Sequence, residues 1–153
     1  MLNQGWRDQW DRVNRRLADV RAISGPGFPG GTVAAVDTVQ AFFESIHHLK
    51  DWLGSDPAAN VTKADGDALI KKITALQISA DLANGTKHLL LTRTRTGDLS
   101  TTLGRNDVTV LVGTGRSSHT FYVQSNNQES TVLDVAEAGV QAWEAFLQGR
   151  NLV

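Results

Sequence analysis

Four polar residues near the middle of the chain have the types and spacing of an acid–base site: Asp81, Asn84, Lys87 and His88. Asp81 and Asn84 lie three residues apart and therefore share a helix face. Asn84-Gly85 is a helix stop signal, after which the chain can fold Lys87 and His88 back over that face. A histidine beside a lysine and a carboxylate suits general acid–base catalysis, with the lysine stabilising a phosphorane-like charge. The alternative is structural: Asn84 caps the helix, Lys87 neutralises its last carbonyls and His88 begins a strand.

A second candidate surface lies in the segment that follows, where cationic and aromatic residues are frequent. Its members are Arg93, Arg95, Arg105, Arg116, His119 and Tyr122. Arg93 and Arg95 share one face of a predicted strand because side chains alternate along a strand. Arginines on such a strip contact phosphates, and Tyr122 can stack a base. Exposed arginines also keep sheets soluble and protect their edges, so this alternative stays open.

A third polar cluster, His47, His48, Lys50 and Asp51, ends the second predicted helix. The helix dipole alone favours cations there. Adjacent histidines point about 100° apart on a helix, so we expect no metal site. Short connections make neighbouring helices antiparallel, which predicts this cluster at the opposite end of the bundle from residues 84–88, roughly 30 Å away. Within one chain the two clusters are not expected to form one site; a head-to-tail dimer would be needed.

The elements that position these side chains follow from the periodicity of the apolar residues. Steps of three and four predict helices over residues 3–24, 32–53, 62–84 and 131–148. Thr32 is expected to cap the second helix, and Ser130 or Thr131 the last. β-Branched alternation predicts a meander over residues 88–124, with LSTTL as an uncertain strand and SNNQEST as a turn.

These elements predict a single domain over residues 1–153 of the α+β class, mainly α. Its architecture is an antiparallel four-helix bundle with a three- to four-stranded antiparallel β meander inserted between helices 3 and 4.

Composition narrows the function classes. The 153-residue chain carries a net charge of −1, so no global charge draws it to nucleic acid. It contains no cysteine, which excludes disulfides, thiolate metal sites and cysteine nucleophiles. No Walker loop, GxSxG, HExxH or dinucleotide fingerprint is present, so we expect no metal and no cofactor. The first residues are charged, and no apolar run approaches the ~18 residues of a membrane span, so we expect a cytoplasmic protein without a membrane partner.

Two motifs resemble those of an uncharacterised family of small bacterial and phage proteins. They are FFESIHHLKDWL, residues 42–53, and LQISADLANGTKHLLL, residues 76–91. In that family a helix ending H-L-K/R-D-W is followed by one ending N-G-S/T-K-H. The closing VLDVAEAGVQAWEAFL is also similar to the family's last helix. The resemblance covers most of residues 33–148 and implies a fold without an assigned activity.

More distantly, the four-helix plan resembles the HEPN superfamily of toxin–antitoxin and phage-defence systems. Its nucleases place an arginine four to six residues before a histidine, near a helix end in a dimer cleft. This chain departs from that motif: Arg116-Ser-Ser-His119 is too short, and the stretch Asn84 to His88 holds no arginine.

Three hypotheses follow. The first is a HEPN-like helical interaction module, dimeric and accessory or regulatory in a bacterial or phage conflict system, which binds protein or RNA. The second is a metal-independent nuclease or nucleotidyl-processing enzyme, with His88 as acid/base, Lys87 as electrostatic stabiliser, and Asp81 and Asn84 as orienting residues. The third is a phage structural or assembly protein without a site.

Overall fold

The computed structural model describes residues 5–87, 95–98 and 101–153, without the side chains of Thr86 and Lys87. Within these residues the chain is α+β and mainly helical. The helices are α1 (Trp6–Ser24), α2 (Gly31–Ser55), α3 (Lys63–Lys72), α4 (Thr74–Lys87) and α5 (Val132–Gly149). The strands are β1 (Thr102–Leu111), β2 (Arg116–Ser125) and β3 (Gln128–Thr131), and a short 3₁₀ turn over Pro57–Ala59 connects α2 to α3.

Helix α2 lies at the centre of the core, where it contacts α1, α4 and α5. Its aromatic pair Phe42 and Phe43 is fully buried, as is Trp143 of α5. On α1 the predicted apolar stripe faces this core, with Val13 and Leu17 buried. Each such side chain contributes roughly 1.5–3 kcal/mol by leaving water, so apolar burial determines how these helices pack.

The predicted helix over residues 62–84 is two helices, and this is the largest departure from the expected fold. Ile73 separates α3 from α4 with an extended backbone, φ −116° and ψ 111°. The Gln77 side chain donates to the Lys71 carbonyl at 2.8 Å, which satisfies one of the acceptors that the end of α3 exposes. Neither glycine nor proline marks the break, so the sequence pattern did not reveal it.

Helix boundaries follow local signals in some places and not in others. Thr62 and Asp65 form a capping box, as the predicted start of the third helix requires. Thr131 caps α5 by accepting a hydrogen bond from the Asp134 N–H at 3.1 Å. The predicted cap at Thr32 is wrong, because α2 begins at Gly31 without a side-chain cap. The predicted stop at residues 84 and 85 is also wrong, because α4 continues to Lys87.

The three strands form an antiparallel sheet in the order β1-β2-β3. Alternate residues of β2 are buried against the helices, among them Phe121 and Val123. Asn126 and Asn127 both have positive φ, 51° and 60°, and make the two-residue turn into β3. The turn predicted over SNNQEST is therefore confined to these two residues, and the sheet extends to Thr131. Residues 88–94, where the meander was expected to begin, lie outside the described residues, as do two residues of LSTTL.

None of the described helices has both the length and the apolar character that crossing a membrane requires.

Candidate functional site

A hollow of about 510 Å³ lies between α2 and α4. It is lined by Glu44, His47, His48, Lys50 and Asp51 from α2 and by Ala83 and Asn84 from α4. The two clusters that were predicted to lie roughly 30 Å apart thus contribute to one surface, and that prediction is wrong. The break at Ile73 explains why the two clusters meet. Because α4 is not the continuation of α3, the C-terminal half of α4 packs beside the second half of α2.

His47 is the residue of this hollow best suited to accept a proton. Its ring is half-buried, and Nδ1 has no hydrogen-bond partner among the described residues. Burial, followed by repulsion from Lys50 and His48, lowers the pKa of His47 from 6.5 to about 4, although Asp51 opposes the shift. At neutral pH the imidazole is therefore uncharged and available as a base. The His48 ring lies 6.2 Å away, centroid to centroid.

Beside His47, one carboxylate binds two cations. Oδ1 of Asp67 accepts from Lys50 Nζ at 2.9 Å and from Arg95 Nη2 at 3.1 Å. The hydrogen bond from Lys50 is the main cause that lowers the pKa of Asp67, with the charges of Lys50, Arg95 and Lys71 adding to it. Since one carboxylate neutralises one cation, this trio keeps a net positive charge next to the hollow.

Asp81 and Asn84 have different surroundings although they are three residues apart. Asn84 lines the hollow. Asp81 is fully buried, and its carboxylate accepts hydrogen bonds from the Arg95 N–H at 2.6 Å, the Thr96 N–H at 3.1 Å and the Thr96 hydroxyl at 2.6 Å. These contacts give Asp81 an anchoring role, and the predicted orienting role of Asp81 and Asn84 stays a prediction.

The backbone of Lys87 ends α4. The Lys87 side chain, His88 and Arg93 lie outside the described residues, so their predicted roles also stay predictions.

The predicted basic strip is not assembled from the members that the structure describes. Arg95 binds Asp67 at the helical side of the molecule. Arg105 pairs with Asp107 at 3.2 Å and Glu129 at 3.4 Å, and its guanidinium covers the Tyr122 ring at 4.0 Å. The contact with Tyr122 is the main cause that raises the pKa of Arg105.

Arg116 is exposed, and its guanidinium donates to the Gly27 carbonyl at 3.0 Å. The described arginines of the strip thus have separate partners instead of forming one charged surface.

His119 was predicted on that strip, and this prediction is wrong. The residue is 1% exposed, with its ring between Phe28 and Phe121. Nε2 lies 2.7 Å from the Ser117 hydroxyl and Nδ1 lies 3.2 Å from the Asn106 amide nitrogen. The order serine, histidine, asparagine has the form of a nucleophilic triad, but the covered ring makes His119 a hydrogen-bonded core residue. Strand alternation contained the signal, since His119 shares its face with Phe121.

The sequence patterns missed two parts of the site. The cluster of His47, His48, Lys50 and Asp51 has a helix-end pattern that predicts only a structural role, and no sequence pattern marks Asp67. Asp67 is 17 residues from Lys50 and 28 from Arg95, and no local pattern connects residues so far apart.

A larger and more open hollow, about 670 Å³, lies at the end of α2 beside Trp6, Trp52 and Asp56. Gly5, the first of the described residues, also lines it.

Among the described residues, no group of three or more histidine, aspartate or glutamate side chains is arranged to hold a metal ion. Comparisons with protein-family models, curated proteins and solved structures find no match for this chain.

Proposed function

We propose that the protein is an enzyme that processes a phosphodiester or nucleotidyl substrate in the hollow between α2 and α4, with His47 as the general base. The observation that supports this is the uncharged, half-buried His47 imidazole, which lines the hollow and whose Nδ1 is a solvent-shielded atom without a partner in the described chain. A general base must be unprotonated when the substrate binds, and His47 meets this condition over the whole neutral range.

Lys50 and Arg95 are the cations beside His47 that would attract an anionic substrate, whereas Glu44 and Asp51 in the lining of the hollow oppose one. Lys50, His48 and Arg95 each disfavour a proton on the ring, whereas Asp51 favours one. A phosphate bound in the hollow reverses this balance and raises the pKa of His47 towards neutrality, where proton transfer is most efficient. The net positive trio of Lys50, Asp67 and Arg95 would stabilise the charge that develops on the phosphoryl oxygens.

The proposed step is a displacement at phosphorus. A hydroxyl oxygen, from water or from the substrate, forms a bond to phosphorus while its proton passes to His47. The bond from phosphorus to the leaving oxygen breaks, and that oxygen takes a proton from a second acid. His48, which also lines the hollow, is our candidate for this acid, with 6.2 Å between the two ring centroids. His88 and Lys87, proposed from the sequence as acid/base and stabiliser, are the competing assignment.

The experiment compares cleavage of a labelled RNA by the wild type, His47→Gln and His88→Gln. We expect His47→Gln to lower kcat by about 100-fold or more, the usual effect of removing a general base, while circular dichroism stays unchanged. Lys72→Gln, an exposed position on α3, is the matched control and should retain full activity. Loss of activity in His88→Gln with retention in His47→Gln would move the base to His88. An inactive wild type would remove the enzyme proposal.

We also propose a second candidate function, an interaction module that associates with a second copy of the chain. Three valines favour it: Val108, Val110 and Val112 are 43%, 66% and 93% exposed. Val108 pairs with His119 and Val110 with Ser117, so these two valines point to the side of the sheet on which β2 packs against the helices, and Val112 lies in the turn that follows β1. Among the described strands β1 lies at an edge of the sheet, and its Arg105 and Asp107 balance in charge, so two copies can pair there without repulsion. The resemblance to the HEPN superfamily would place such a module in a bacterial or phage conflict system.

A further inference from the structure

Asp81 is a carboxylate with no solvent exposure in a helix that lines the candidate site. Burying an ionised group is costly unless donors replace water. The three hydrogen bonds that it accepts from described residues come from residues 95 and 96, and two of the donors are backbone N–H groups. A hydrogen bond from a backbone N–H group fixes the position of the main chain, because residues 95 and 96 cannot keep that bond by changing only a side-chain rotamer. Asp81 therefore determines where the backbone of Arg95 lies relative to α4.

We propose that Asp81 is a positioning residue for the acid–base site: it holds Arg95 so that its guanidinium reaches Asp67, and it thereby sets the charge beside His47. This inference rests on the proposed role of His47.

The guanidinium is the second cation on a shared oxygen. Oδ1 of Asp67 accepts from Lys50 at 2.9 Å and from Arg95 at 3.1 Å. Without Arg95, Lys50 and Asp67 form a neutral pair. The presence of Arg95 at this point thus adds one positive charge beside a hollow whose lining also carries the carboxylates Glu44 and Asp51.

The other end of the same segment is bound to the sheet. The Thr96 hydroxyl lies 3.1 Å from the Thr101 hydroxyl, which lies 2.9 Å from that of Ser125. The Asp98 carboxylate accepts from the Asn126 N–H at 2.7 Å. The sheet therefore restrains residues 96 and 98, and Asp81 supplies the connection to α4.

Several titratable groups besides Arg95 lie around His47. Glu44, His48, Lys50 and Asp51 of α2 line the same hollow, Asp67 of α3 binds Lys50, and Asp81 is buried in α4. Lys50, His48 and Arg95 oppose protonation of His47, and Asp51 favours it. A variant that displaces Arg95 should for this reason make His47 easier to protonate.

The test is an NMR titration of the His47 imidazole in the full chain, for the wild type, Asp81→Asn, Arg95→Met and the double variant. We expect both single variants to raise the midpoint above about 4 by a small step, because burial and the charge of Lys50 lower the pKa of His47 more than Arg95 does. The sign is decisive: removing the negative charge of Asp81 by itself would lower the midpoint, so a rise reports displacement of Arg95. The double variant should show no further rise, because both substitutions remove the same interaction.

Two further variants separate positioning from general destabilisation. Thr131→Ala removes the cap of α5 and should lower stability without moving the His47 midpoint. Thr96→Val removes one bond to Asp81 while the buried charge remains, and should raise the midpoint if Asp81→Asn does not fold. An unchanged or lowered midpoint in both Asp81→Asn and Thr96→Val would overturn the inference.

The titration does not depend on turnover, so the two proposals fail separately. If the midpoint rises in Asp81→Asn but His47→Gln keeps full activity, positioning holds and the catalytic role of His47 fails. If His47→Gln is inactive but the midpoint does not move, the catalytic role holds and positioning fails.

Discussion

His119 and His47 have different roles in this protein because their ring nitrogens have different hydrogen-bond partners. His119 is covered by two aromatic rings and has polar partners at both nitrogens, so it belongs to the core. His47 is half-buried, with Nδ1 unpartnered in the described chain, and its pKa falls to about 4. A buried group with partners stabilises the fold, whereas one without partners is available for chemistry.

The lowered pKa of His47 predicts acid lability in a defined range. The unfolded chain binds a proton at this residue below pH 6.5 and the folded chain only below about pH 4. The free energy of unfolding should therefore decrease as the pH falls from 6.5 to 4 and level off below, by at most about 3 kcal/mol from this residue. Urea unfolding across this range should show a shallower pH dependence for His47→Gln than for the wild type.

The aspartates with lowered pKa values affect the free energy of unfolding in a lower pH range than His47 does. The pKa values of Asp56, Asp65 and Asp67 lie below 3.8 in the folded chain, so the stability they supply is lost only as the pH falls through those lower values. If the free energy of unfolding depended on pH equally for His47→Gln and the wild type between pH 6.5 and 4, the loss of stability in this range could not be assigned to His47.

At the scale of elements, α4 determines whether a site exists. Its direction is set at Ile73, where a single extended residue ends α3. Its length also matters, because the helix continues past Asn84 and Gly85 to Lys87. The sequence pattern placed a stop there, since asparagine and glycine often end helices in a left-handed conformation. Gly85 has no positive φ in this structure, unlike six other glycines.

Gly85→Ala tests the continuation of α4 directly. A Cβ at this position meets nothing within 4 Å. In a helix interior the substitution should stabilise the protein by about 0.5–1 kcal/mol, because alanine loses less entropy on folding. Gly113→Ala is the matched control: it has equal space but a φ of 79°, so it should destabilise the protein. Urea unfolding of both variants measures the difference. Destabilisation by Gly85→Ala would restore the helix stop predicted from the sequence.

At the scale of the whole molecule, the sheet is only partly covered by the helices. β2 packs on α1 and α5 and bridges to Phe28, whereas most residues of β1 are exposed. The valines of its second half therefore form the apolar surface from which we propose self-association.

Val110→Lys combined with Val112→Lys tests this surface. Sedimentation velocity should show concentration-dependent association of the wild type and a monomer for the double variant. In a dimer of the variant, the lysines of one copy would be buried against the same lysines of the other, and their like charges would repel. Val33→Lys, another exposed valine at 77%, is the control and should associate like the wild type. A wild type that stays monomeric at all concentrations would contradict the proposal.

Much of the local structure was predictable from the sequence. Apolar steps of three and four found α1, α2 and α5 within three residues of their observed ends. The cap at Thr131 was one of two candidates predicted from the hydroxyl side chains before the last apolar run. These features depend on interactions within about four residues, which a sequence window contains.

The sequence by itself determined the class of fold, the main helices and the residue types available for acid–base chemistry. Tertiary packing alone decided that His47 and Asn84 share a hollow, that Asp67 joins Lys50 to Arg95, and that His119 is buried. The physical reason is the range of the forces involved. Hydrogen bonds and periodicity act between near neighbours, whereas the meeting of distant polar groups depends on how buried apolar faces pack, and one extended residue at position 73 changes that packing.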